Sequence, residues 1–161
     1  MEHLIVLAVQ CIISLFVFYT LIRWYIHPRL SKQNFSGILS FLLIMNVFRY
    51  LPLSLFMPGQ VSELFPQYLK GVVAYGDLAS AMLALVSLFL VRRESPLARP
   101  MVWLFSMVSV LDMVIVLSLA MSEKVYQLDL GANYFTVSVY VPMLMVIQWT
   151  ILQMLTSKTL R

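Results

Sequence analysis

Apolar positions are gathered along this chain into five long runs, roughly Leu4 to Trp24, Phe35 to Met57, Tyr68 to Val91, Met101 to Met121 and Ala132 to Leu155. Each run is near the ~20 residues with which an α-helix crosses ~30 Å of hydrocarbon. Turn-forming and polar residues separate them: His27-Pro28-Arg29 with Ser31 to Asn34, then Pro58-Gly59-Gln60, Ser95-Pro96 with Arg99-Pro100, and Ser122 to Gly131. The pattern predicts an all-α polytopic membrane bundle of about five transmembrane helices, spanning approximately 4–24, 35–57, 68–91, 101–121 and 132–155. No internal repeat or linker divides it, so residues 1–161 read as a single transmembrane domain. The segment from Val61 to Gln67, with Ser62 as a cap and Leu64 and Phe65 apolar, reads either as a turn of helix lying along the interface or as a plain loop.

Composition sharpens this picture. Of 161 residues, 61% are apolar and 11% charged, against roughly 25% charged in a soluble domain. The start, Glu2 and His3 before a long apolar run, is unlike the basic n-region and short h-region of a cleaved signal peptide, so the first run is expected to stay as a helix.

The net charge of +4 reports topology rather than nucleic-acid binding, because the basic residues sit in short loops and form no stripe with aromatics. Arg23, Arg29, Lys32, Arg92, Arg93, Arg99, Lys158 and Arg161 fall on one side of the five runs, and only Lys70 and Lys124 on the other. That asymmetry places the N-terminus outside and the C-terminus in the cytoplasm. Trp24, Tyr25, Tyr68, Trp103, Tyr126 and Tyr134 lie near run ends and read as headgroup-level anchors.

Three ionisable residues remain inside the runs: Arg49, Asp77 and Asp112. Each costs ~2.5 to 3.5 kcal/mol at a helix centre, so something must offset it. Arg49 lies eight residues, and Asp77 and Asp112 nine residues, from the outer ends of their runs. At ~1.5 Å per residue all three share one layer ~12 to 14 Å deep. The expectation is an ion-paired cluster facing the bundle interior, with the planar guanidinium fork engaging one carboxylate and further donors or a proton meeting the other. Asn46 shares the face of Arg49, Ser106 and Ser109 form an i, i+3 stripe with Asp112, and Gln148 with Tyr140 supplies polar groups from the fifth helix. The direction of Gln10 is open. Pro52 and Pro142 interrupt helices in the same layer and Gly76 precedes Asp77, so bends and charges together predict a cavity open to the outside.

The competing reading is architectural. Buried ion pairs lock helices together, and Gly76, Ser80 and Ala84 at spacing four give the third helix a small-residue face for close packing. The eleven methionines read as apolar filler and Cys11 as a small core residue. No GxSxG, HExxH or Gly-rich phosphate loop is present, and His3 and His27 fall on opposite sides, so no cofactor is identified.

The strings Val47-Phe48-Arg49-Tyr50-Leu51-Pro52, Ala74-Tyr75-Gly76-Asp77-Leu78, Gly131-Ala132-Asn133-Tyr134-Phe135 and Tyr140-Val141-Pro142-Met143-Leu144 resemble those of a group of small, uncharacterised bacterial five-helix membrane proteins. The likeness covers most of helices two to five but not the first, and implies a bacterial inner-membrane setting, with no activity attached. The tryptophan-rich sensory and translocator protein family is similar in length, helix count and basic character, and Tyr140-Val141-Pro142 echoes it. With three tryptophans this chain departs from that family's defining feature, and porphyrin or sterol binding is not carried over.

Three functions follow. The first is a binding or transport protein for a small polar or amphipathic molecule, a lipid or an ion, with Arg49, Asp77, Asp112, Asn46, Gln148 and Tyr140 as the site. The second is a structural or accessory subunit of a homo-oligomer or larger membrane complex. The third is a membrane-embedded enzyme using the carboxyl pair on a lipid or isoprenoid.

Overall fold

The computed structural model describes residues 2–30 and 35–157. It contains α1 (Glu2–Arg29), α2 (Phe35–Phe56), α3 (Gln67–Arg92), α4 (Ala98–Ser122) and α5 (Asn133–Thr156), each long and apolar enough to cross a membrane. Among the described residues there is no strand. The runs read from sequence match α2 to α5 closely, and α1 continues past Trp24 to Arg29. Ser31 to Asn34, and with them Lys32, lie outside the described residues, as do Lys158 and Arg161.

Short connections make consecutive helices antiparallel. Helix α3 packs between α2 and α4, while α5 packs on α4 and α2. Helix α1 lies along α5 and contributes no buried residue. A lateral apolar groove of about 530 Å³ separates the second half of α1 from α2, with Met143 and Ile147 of α5 along it. The main apolar core, including Leu42, Leu43, Ala84, Phe105 and Ile151, fills the half of the bundle nearer Arg29 and Ser157. A smaller cluster of Phe65, Leu69, Val125 and Leu130 closes the end where Glu2 lies.

That closure settles the segment from Val61 to Gln67 as a loop. Phe65 turns into the small cluster, the Leu64 N–H donates to Ser62 Oγ at 3.2 Å, and the Ser62 N–H donates to the Asp129 carbonyl at 2.9 Å, joining the two connections at this end. Gly131 completes the join. Its φ of +51° lies in the left-handed region, and a Cβ there would stand 2.6 Å from the Gln60 carbonyl oxygen, so both the turn and the close approach require glycine.

Prolines set where the helices change winding. A proline has no N–H for the carbonyl four residues back, and its ring crowds that carbonyl. Pro142 follows a π turn at Thr136–Tyr140, Pro28 follows one at Ile22–Ile26, and Pro52 sits within a 3-10 stretch at Phe48–Phe56. In each case the carbonyl that loses its partner, on Ser138, Trp24 or Phe48, falls inside the rewound stretch. The 3-10 winding has three residues per turn and so aligns every third side chain. Arg49, Pro52 and Leu55 are accordingly the buried residues of that stretch. Gly76, expected to weaken its helix, leaves α3 continuous from Gln67 to Arg92.

Candidate functional site

Arg49 is the largest fully buried side chain, 1% exposed. Its Nε donates to Asp77 Oδ1 at 2.7 Å, and Nη2 stands 2.7 Å from the same oxygen and 2.5 Å from Asp112 Oδ2. Nη1 donates to Ser109 Oγ. All three guanidinium nitrogens are thereby engaged, on partners from α3 and α4, through a fork that the single ammonium of a lysine could not reproduce. The sequence-derived layer is thus one contiguous cluster, and Arg49 meets both carboxylates rather than one. Both reach the same nitrogen, so the two carboxylates stand side by side.

Gly76 makes this approach feasible. A Cβ at that position would overlap the Asp112 carboxylate, so the missing side chain on α3 is the space that the α4 carboxylate occupies. Sequence reasoning read Gly76 as a backbone break and as part of a packing face. Its role against Asp112 had no signal in one chain.

A cavity of about 40 Å³ adjoins the cluster, lined by Arg49, Pro52, Asp77 and Asp112 together with Met113, Val116 and Leu117 of α4 and Thr136, Tyr140, Val141 and Leu144 of α5. Tyr140 forms part of the wall and donates its hydroxyl to the Met45 carbonyl at 3.0 Å, just before α2 changes to 3-10 winding. The expected outer cavity is therefore small. Its volume suits a water-sized occupant, of which liquid water gives each molecule ~30 Å³, and falls far below the ~300 to 1,000 Å³ of sites for drug-sized ligands.

The remaining candidates separate from the cavity. Asn46 is buried and its amide donates to the Leu42 carbonyl of its own helix at 2.9 Å, leaving Oδ1 without a partner among the described residues. Gln148 is 2% exposed, with neither end of its amide partnered. Ser106 is buried in the same condition. Gln10 points to α5 near the Glu2 end, where Oε1 accepts from the Tyr134 hydroxyl at 2.5 Å, so that tyrosine joins helices as well as lying near an interface. Cys11 is half-buried rather than core, and its thiol donates to the Val137 carbonyl within the π turn at 3.7 Å.

The chain belongs to the family described as Domain of unknown function (DUF8737), which matches residues 6–156. No match was found among curated proteins or among solved structures.

Proposed function

We propose that this DUF8737 member is a multi-pass cell-membrane protein, N-terminus outside and C-terminus in the cytoplasm, whose Arg49–Asp77–Asp112 cluster reversibly binds a proton or a small monovalent cation. The observation that carries this reading is the pair of carboxylates on one buried guanidinium nitrogen. One positive charge faces two negative ones. In an apolar interior the surplus negative charge calls for a proton or a cation, and the adjoining cavity is of a size for that occupant or a water and no larger. A lipid or isoprenoid substrate has no room beside the carboxylates, which argues against the enzyme reading. Tyr140 and Ser109 hold the walls and the guanidinium in place.

The architectural reading draws on the same bonds, since they tie α2, α3 and α4 together. One substitution separates the two. Asp112→Asn keeps shape and hydrogen-bonding capacity but leaves Arg49 balanced by Asp77 alone. Melting curves of both proteins, taken in one detergent across pH and across sodium, potassium and lithium salts, are the measurement. The expected result is a wild-type melting temperature that shifts with pH or with one cation and an Asp112→Asn protein that is folded and unresponsive. A wild type insensitive to pH and to every cation would sink the reading.

A further inference from the structure

Below the charged cluster, toward the end of the bundle where α1 and α5 finish, the interior is not uniformly apolar. On α2, Asn46 lies three residues from Arg49. On α3, Ser80 lies three residues from Asp77, and on α4, Ser106 follows Ser109 by one further turn; all are fully buried. On α5 the buried stripe Leu144, Gln148, Ile151, Leu155 begins at the wall of the cluster cavity and ends in the apolar core, placing Gln148 between them in the bundle interior. Asn46 Oδ1, Ser80 Oγ, Ser106 Oγ and both polar atoms of Gln148 have no partner among the described residues. Two turns lower, Ser40 and Ser87 are buried in the same way. Beyond them is a vestibule of about 440 Å³, lined in part by Ser36, Glu94 and Arg99.

Each unpartnered buried polar group costs ~1 to 3 kcal/mol, and in native proteins such groups mark water, ions or function. The serines have a packing reason as well, being small residues on faces where helices approach closely. Asn46 and Gln148 do not. They are bulky amides where leucine or methionine would fill the space at no polar cost, and they carry the argument.

We propose that Asn46, Ser80, Ser106 and Gln148, continued by Ser40 and Ser87, form the route by which a proton passes between the carboxylate pair and the vestibule near Glu94. The inference rests on the proposed reading that the cluster takes up a proton. In each transfer an oxygen lone pair accepts one proton while the opposite O–H releases another, so one positive charge moves and nothing is oxidised or reduced. The serine hydroxyls can both accept and donate, and the two amides anchor water between them through lone pairs and N–H groups not otherwise used. The ionisable groups lining the two ends of this file are Arg49, Asp77, Asp112 and Tyr140 at one and Glu94 with Arg99 at the other.

The test uses the full chain in liposomes holding a trapped pH-sensitive dye, with an imposed pH gradient and the membrane potential clamped by potassium and valinomycin. Wild type should dissipate the gradient faster than protein-free liposomes. Gln148→Leu and Asn46→Leu should fall to the protein-free leak while melting at or above the wild-type temperature, because an unpartnered polar group has been removed. Gln148→Asn, which keeps the amide, should restore flux in part. Flux at the wild-type rate through folded Gln148→Leu and Asn46→Leu proteins would overturn the route. Wild type without flux, but with melting that still responds to pH, would overturn the route and leave the binding reading standing, whereas loss of both signals would overturn both.

Discussion

Helices α1 and α2 are neighbours in sequence and opposites in use. The apolar window of α1 is the most hydrophobic of the five and has none of its residues buried, whereas α2 ranks with α5 as least hydrophobic and has the largest buried share. In water the order would be reversed, because apolar burial drives folding there. In lipid the tails are as apolar as leucine, so burying an apolar side chain gains little, and burial matters most for side chains that lipid cannot accommodate and for small residues that let helices approach. Helix α1 presents Ile12, Phe16 and Trp24 outward, while α2 turns Asn46 and Arg49 inward. The most hydrophobic helix is thus the peripheral one, while Asn46 and Arg49 lie inside beside the apolar core.

The contrast is broken most severely at Arg49. Arg49→Met leaves Asp77 and Asp112 side by side without a counter-charge, and breaking a buried pair in this way costs ~3 to 5 kcal/mol. A detergent unfolding titration should show that loss, and a change under ~1 kcal/mol would mean that water already reaches the carboxylates freely. A smaller effect is expected at Gly76→Ala, whose Cβ must push the Asp112 carboxylate from Arg49; overpacking of this kind costs ~1 to 3 kcal/mol. In the same titration, Gly76→Ala combined with Asp112→Ala should recover much of the Gly76→Ala loss, because the overlapping group is gone. The smallest effect belongs to α1. Phe16, 70% exposed, should tolerate Phe16→Ala within ~0.5 kcal/mol, the range of surface substitutions. A loss of several times that in a native-like bilayer would show a protein partner, rather than lipid, on this face.

Much of the fold was legible because membrane thickness is a strict ruler. An apolar run of some twenty residues matches the hydrocarbon core in length and little else in a protein of this size, and α2 to α5 begin and end close to where the runs do. The Arg49, Asp77 and Asp112 layer was legible for the same reason, since counting residues from a run end gives depth directly. Depth says nothing about direction around a helix axis. Gln148 and Tyr140 were grouped, yet Tyr140 reaches the cluster cavity and Gln148 does not. The prolines announced breaks in the helices, but whether the chain answers with wide or tight winding depends on neighbours not encoded nearby. The size of the cavity was unreadable because it is what remains after Met113, Val116 and Leu144 have packed.

The 3-10 stretch of α2 bears on how far that helix would reach across a membrane. Among the described residues α2 has 22, against 24 to 28 for the other four helices. Nine of those residues are wound as 3-10 helix, which rises ~2.0 Å per residue instead of ~1.5 Å. The tighter coil lengthens α2 by ~4 to 5 Å and gives it the reach of an α-helix of about 25 residues. In a bilayer that extra rise would let α2 cover nearly the thickness covered by the 25 residues of α4, and would lessen the mismatch that otherwise thins the lipid around a short helix or draws its ends inward.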